Sequence, residues 1–155
     1  MPRKSLFMGT TDVPAERSAA SIVSLLVAAG ARSVNMRYSE QRKLSGIDFT
    51  FVEGKLEFPF SIPARIQQLF DKMLADRNRR SGRTDRNTIM EQAERVAWRQ
   101  LFRWVEAQVA LIETGMVSHV EVFTPYCIDR SGRTMFEAMM AARLKELPAP
   151  EQVTA

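Results

Sequence analysis

GIDFTFVEGKLEFPFSI, residues 46–62, is the stretch that decides the fold of this chain. Large apolar residues alternate with polar ones on both sides of Glu53-Gly54, which is typical of strands with one buried face. Glycine readily adopts a positive φ, so Glu53-Gly54 predicts a two-residue hairpin turn. Pro59 cannot donate to a strand ladder and therefore predicts that its strand lies at a sheet edge. The stretch predicts an antiparallel hairpin whose Phe, Ile and Leu face is buried.

Working outward, the periodicity predicts an N-terminal helix ended by Gly30 and a first strand around residues 34–38. Further elements follow the hairpin: a helix after Pro63, a long helix over 85–114, an extended stretch over 117–128 and a final helix over 134–147. The predicted class is α+β: an N-terminal helix, a three-stranded antiparallel sheet, then a long central helix and a C-terminal helix packed on one sheet face. Residues 12–147 are expected to form one domain between a flexible leader, 1–11, and a flexible tail, 148–155.

Composition limits the class of protein. The 155 residues are 45% apolar with a net charge of +4, and the pI is near 9.6. These values fit one soluble domain with a tilt toward anionic partners. The lone Cys127 excludes an internal disulfide framework and fits a reducing compartment. The sequence has no signal-peptide pattern and no apolar run of membrane length, so a cytoplasmic protein without a membrane partner is expected.

The long helix carries a wide apolar face. We expect its buried stripe to consist of Ala93, Ala97, Leu101, Trp104, Gln108, Leu111 and Ile112, and a flank to consist of Trp98, Phe102, Val105 and Val109. On that flank, Trp98 and Phe102 allow two interpretations: they are core, or they dock a second protein with arginines at the rim. An exposed Trp98/Phe102 flank would also favour a homo-oligomer.

Catalytic and metal-binding patterns are weak. One histidine, His119, and one cysteine, Cys127, cannot supply a structural zinc site, and phosphate-binding glycine loops are missing. A Cys127–His119 nucleophile pair would require Pro125 to fold the chain back. Asp48 and Glu57 could face each other across the hairpin, but such acids are usually solvated partners of arginine or lysine. We therefore expect no catalytic residue, no metal and no cofactor, and rank an enzyme using Asp48, Glu57 or Glu121 last.

Arginines concentrate between the second and third predicted helices, after the helix that follows Pro63 and before the long helix over 85–114. The pentapeptide RSGRT occurs at 80–84 and again at 130–134, each time just before a predicted helix. Cations near a helix N-terminus are locally unfavourable, whereas anions are favoured there. The candidate nucleic-acid-binding residues are Arg77, Arg79, Arg80, Arg83, Arg86, Arg130 and Arg133. The alternative is a solvated loop whose charge is muted by Asp76 and Asp85.

A resemblance adds context over the C-terminal half of the chain. It is carried by VAWR at 96–99, WVEAQ at 104–108, ETG at 113–115, EVFTPY at 121–126 and GRTMFE at 132–137. This series resembles a family of small hypothetical proteins of tailed phages and prophages. The resemblance implies a phage-encoded protein in the cytoplasm of a bacterial host, and it carries over no catalytic residue.

Two hypotheses follow. The first is a non-enzymatic accessory protein that contacts the nucleic-acid backbone through the arginine loop, because aromatic residues for base stacking are not interleaved with these arginines. The alternative is a protein-binding module that docks on a host or phage protein through the aromatic face of the long helix.

Overall fold

A computed structural model describes residues 5–79 and 85–146 of the chain. The elements in order are α1 (Ala15–Ala28), β1 (Ser33–Tyr38), β2 (Leu44–Glu53), β3 (Leu56–Pro63), α2 (Ile66–Asn78), α3 (Arg86–Glu113), α4 (His119–Phe123), a 3-10 turn (Thr124–Tyr126) and α5 (Met135–Glu146). The predicted α+β class is confirmed. None of the helices in this part of the chain combines the length and apolar character of a membrane span.

The predicted hairpin forms the centre and one edge of the sheet. The strands are antiparallel in the order β1-β2-β3, with Phe49 opposite Phe60 on β3. The inward face of the hairpin is aromatic: the rings of Phe49 and Phe60 stack with centroids 5.3 Å apart. Glu53 pairs with Leu56, so the turn residues are Gly54 and Lys55, one position later than predicted. Gly54 has φ +62°, as the turn requires.

The outward face of the sheet is polar, and several of its side chains contact one another. The Ser61 hydroxyl donates to Asp48 Oδ1 at 2.6 Å, and Arg37 Nη2 lies 3.8 Å from the same oxygen. The Arg37 guanidinium covers the backbone of Gly46, where a Cβ atom would also lie 2.7 Å from the Ile62 carbonyl oxygen. The central strand therefore needs glycine at 46 for close approach rather than for a special φ.

Gly46→Ala is expected to lower the free energy of unfolding by about 1–3 kcal/mol, the usual cost of overpacking. In an Arg37→Ala background the cost should fall but not vanish, because the Ile62 contact is with backbone. Chemical denaturation of wild type, both single variants and the double variant measures this coupling. A Gly46→Ala midpoint equal to wild type would contradict the close approach.

The core lies between the inward sheet face and helices α1 and α3. Trp98 of α3 is 1% exposed and lines a small internal void with Ile22 of α1, Ile47 of β2 and Ile62 of β3. Further along α3, Val105 and Val109 are also buried. Ala93 and Ala97 are buried, as predicted, but beyond them the buried stripe runs through Trp98, Val105 and Val109, which were predicted as its flank. Leu101, Trp104 and Ile112 pack at its margin and are only partly buried.

The predicted extended stretch over 117–128 is helical from His119 to Tyr126, so the prediction is wrong there, and only Cys127 and Ile128 form bridges as extended residues. Ser118 and Glu121 form a capping box, in which the Ser118 hydroxyl accepts the Glu121 N–H and the Glu121 carboxylate accepts the Ser118 N–H, and α4 follows. Pro125 lies in the 3-10 turn that continues it. The valines within 117–122 are typical of a strand, but the S-x-x-E pattern of Ser118 to Glu121 is the capping box that begins a helix.

The N-terminal segment lies along α3. Gln92 donates to the carbonyl oxygens of Gly9 at 3.1 Å and Thr11 at 2.8 Å, and Gln100 donates to that of Phe7 at 2.7 Å. The described residues of the predicted leader are therefore hydrogen-bonded to the helix. The tail at 148–155 and residues 1–4 lie outside the described residues.

Candidate functional site

The α2–α3 corner carries the described part of the arginine loop. Arg77 lies in the last turn of α2, Arg79 is its C-terminal cap residue and Arg86 opens α3. All three side chains are exposed. Arg86 also lies over the ring of Phe70, 5.5 Å from its centroid. This contact joins the two helices and holds one guanidinium at the surface.

The nearby carboxylates are engaged elsewhere. Asp76 lies 3.8 Å from Lys72 Nζ. Asp85 accepts hydrogen bonds from Asn87 N at 3.0 Å and the Thr88 hydroxyl at 3.1 Å. Within residues 5–79 and 85–146, no carboxylate lies within ion-pair distance of Arg77, Arg79 or Arg86. Asp76 and Asp85 therefore do not form ion pairs with these three arginines.

Two predicted residues of this loop, Arg80 and Arg83, lie outside the described residues. The start of α3 beside them is already capped, because Asp85 supplies a carboxylate to its first turn. An anion at the corner would consequently meet guanidinium groups more than free backbone N–H groups.

The second RSGRT copy is a tight turn built around Asp129. Asp129 Oδ1 accepts from Ser131 N at 2.8 Å and Arg133 N at 3.1 Å, and also from the Ser131 hydroxyl. The hydroxyl bond of Ser131, with the backbone bonds and the charge of Arg133, lowers the pKa of Asp129. Arg133 Nε lies 3.7 Å from Asp129, so its charge is partly balanced. Arg130 is exposed on the same turn.

The described parts of the two arginine sites lie far apart. Tyr126, just before the second turn, packs on Trp104 with ring centroids 5.7 Å apart. Arg86 lies 18 residues earlier in α3, which is about 27 Å along the helix axis. The turn at 130–134 is therefore not part of the α2–α3 corner.

The predicted protein interface on α3 is not available in the expected form. Trp98, placed on the flank with core and interface both left open, is buried because α1 and the sheet pack against that side of α3. Phe102 is half-buried, and the guanidinium groups of Arg99 and Arg103 lie 4.6 and 5.5 Å from its ring centroid. Of the two interpretations of Trp98, its burial favours the core, and Phe102 is covered by arginines.

The residues considered for catalysis are held in structural contacts. Asp48 bonds Ser61, which stands opposite it, whereas Glu57 pairs with Arg32. His119 stacks on Phe51 at 4.3 Å, and Cys127 pairs with Phe60 in an isolated bridge. Burial raises the pKa of the Cys127 thiol, which opposes its activation as a nucleophile. Among the described residues, no cluster of three or more potential metal ligands occurs.

Sequence reasoning missed the surface of α5. The α5 stripe, defined as Met135, Phe136, Met139 and Met140, is 41–62% exposed. These positions lie on one side of the helix, and the half-buried Ala138 and Ala141 lie roughly opposite. Since α5 packs mainly against the 3-10 turn, its small residues face the protein and its large apolar ones face outward. The periodicity was visible in the sequence, but it could not tell which side has a neighbour.

A groove opens beside the start of α5. It has a volume of about 330 Å³ and is lined by β3, α2, α3 and the 3-10 turn. Leu69, Leu101 and Trp104 form apolar walls, while Arg65 and Tyr126 supply polar groups. Cys127, next to Tyr126, accepts the N–H of Met135 at 2.8 Å. The groove and the start of α5 are therefore connected through the 3-10 turn and Cys127.

Comparison with models of protein families, with curated proteins and with solved structures finds no match to this chain.

Proposed function

We propose that this protein is a non-enzymatic accessory protein that binds the phosphate backbone of nucleic acid through the α2–α3 corner. The observation that carries the proposal is the exposure of Arg77, Arg79 and Arg86 without a carboxylate partner in the described part of the chain. Each guanidinium can bind phosphate oxygens in a bidentate manner. Arg80 and Arg83, which lie between them in the sequence, are included in the proposal on sequence grounds alone.

The proposed binding is non-specific in sequence. Phosphate contacts position a protein on nucleic acid but do not read bases. The aromatic ring at the corner, Phe70, is buried and is therefore not available for base stacking. The resemblance to small proteins of tailed phages and prophages supports a phage-encoded protein acting in the cytoplasm of a bacterial host. Arg130 and Arg133 belong to a separate turn and are proposed as secondary contacts.

The test is fluorescence anisotropy with labelled single-stranded DNA, duplex DNA and RNA across a salt series. Each neutralised phosphate contributes roughly 0.9 to the slope of log K against log salt on duplex DNA. The triple variant Arg77→Ala, Arg79→Ala, Arg86→Ala is expected to reduce that slope by about two to three. Its affinity at low salt should fall by at least about tenfold, because three phosphate contacts are lost.

The matched control removes three arginines elsewhere on the surface: Arg17, Arg32 and Arg103. It makes the same change in net charge, so a loss of binding caused by total charge alone would affect both triple variants equally. Equal slopes for the two triple variants, or no binding by wild type at low salt, would contradict the corner as a nucleic-acid site.

A second candidate function is supported by the α5 stripe. Four neighbouring large apolar side chains facing outward are unusual on a monomer and typical of a protein-binding surface. The protein-binding hypothesis is therefore kept, with its surface moved from α3 to α5. Binding of a host or phage protein to this surface should be lost in Met139→Asp. It should be retained in Met116→Asp, because Met116 is 71% exposed but lies outside the stripe. Equal binding by both variants would contradict it.

A further inference from the structure

We propose that the α5 stripe of one copy docks in the groove of a second copy, and that the reciprocal contact forms a twofold-symmetric dimer. The inference rests on the second candidate function, because it names the partner of the α5 stripe. It is independent of nucleic-acid binding at the α2–α3 corner.

The first support is self-complementarity. A twofold interface uses the same patch on both copies, so that patch must contain both a projecting and a receiving surface. Here the projecting surface is the α5 stripe and the receiving surface is the groove with its Leu69, Leu101 and Trp104 walls. Tyr126 lines the groove and belongs to the 3-10 turn on which α5 packs. Both surfaces are therefore built on the same 3-10 turn.

The second support is the size of the surface. At ~200 Å² for each full side chain, the exposed fractions of the stripe correspond to ~400 Å² of apolar surface. A stable interface takes roughly 800 Å² from each partner. The stripe supplies about half of this area, and the apolar wall of the groove can supply the rest.

The third support is charge. Glu137 lies beside the stripe in the first turn of α5 and is exposed. Its Oε2 accepts the Thr134 N–H at 2.9 Å, which leaves Oε1 open to a second donor. Arg65 at the groove is exposed and forms no ion pair with another described residue. Docking of α5 in the groove of a second copy brings these opposite charges together twice per dimer.

Sedimentation velocity of the full chain over a concentration series tests the dimer. Wild type should shift toward twice the chain mass of 17.6 kDa as concentration rises. Met139→Asp should raise the dimer dissociation constant by about 100-fold or more, because two charges enter an apolar interface. Met116→Asp is the matched control and should leave the dissociation constant unchanged. A wild type that stays monomeric at about 100 µM, a concentration at which weak interfaces still form, overturns the dimer. Equal weakening of the dimer by Met139→Asp and Met116→Asp also overturns it.

A double-mutant cycle tests whether α5 occupies the groove. Glutamine at 137 preserves the capping box, so Glu137→Gln removes only the charge, and Arg65→Gln does the same at the groove. Each should weaken the dimer about fivefold, and the double variant should be no weaker than either single variant. Additive effects overturn the assignment of the groove. Circular dichroism must show the wild-type fold for every variant used. A monomeric wild type would rule out the dimer but not the second candidate function. Binding of a different protein to the α5 stripe would still be tested by Met139→Asp and Met116→Asp.

Discussion

Trp98→Ala is expected to lower the free energy of unfolding by about 3–5 kcal/mol, the usual cost of truncating a buried tryptophan. The side chain is 1% exposed and bounds the contact of α3 with α1 and both strands of the hairpin. Its removal leaves a cavity between α1, α3 and the sheet, and these rigid elements cannot move enough to close it fully. This loss is a large share of the 5–15 kcal/mol of stability typical of a domain.

Urea denaturation followed by far-UV circular dichroism measures this effect without depending on tryptophan fluorescence. Phe102→Ala is the control on the same helix, with an expected cost of about 1 kcal/mol, since Phe102 is half-buried under two arginines. Trp98→Phe should cost less than Trp98→Ala, because it keeps a ring and removes an indole N–H without a hydrogen-bond partner among the described residues. A Trp98→Ala variant within 1 kcal/mol of wild type would contradict a core role.

Phe123→Ala is expected to be similarly costly, about 3–5 kcal/mol. Phe123 ends α4 and is fully buried, with ring centroids 5.0 Å from Phe49, 5.8 Å from Phe60 and 5.9 Å from Trp104. These edge-to-face and tilted contacts attach the α4 segment to the sheet and to α3. Their loss should release residues 118–128 before the rest of the domain unfolds.

Hydrogen exchange by mass spectrometry distinguishes this local release from global unfolding, and chemical denaturation gives its total cost. Phe7→Ala makes the same chemical change at a side chain that is 59% exposed and should change stability by less than about 0.5 kcal/mol. Faster exchange throughout α1 and the sheet, with none specific to 118–128, would contradict the role of Phe123 as the anchor of that segment.

The hairpin was predictable because its signals are local. The alternating apolar residues, the glycine turn and Pro59 all predict the same hairpin. The structure contains its two strands as neighbours in the sheet. The rotation of the buried stripe on α3 was not predictable in the same way. Trp98 and Leu101 lie on neighbouring apolar stripes of one helix, and only the positions of α1 and the sheet decide which is closed over.

The candidate sites show the same limit. The exposure of Arg77, Arg79 and Arg86 follows from charge, but the engagement of Asp76 and Asp85 by other partners needs the folded chain. The identical pentapeptides illustrate this further. In the second copy, the preceding Asp129 accepts backbone hydrogen bonds that form a turn. Asn78 and Arg79 precede the first copy and supply no equivalent carboxylate.

The isolated bridge between Phe60 and Cys127 has a consequence for association of the sheet with other strands. The Ile128 N–H donates to the Pro59 carbonyl oxygen at 3.0 Å, so a short piece of the same chain covers the outer edge of β3 at Pro59 and Phe60. Among the described residues, no strand lies outside β1. An added strand would have to displace the covering piece to pair along the whole of β3, so strand addition is favoured at β1.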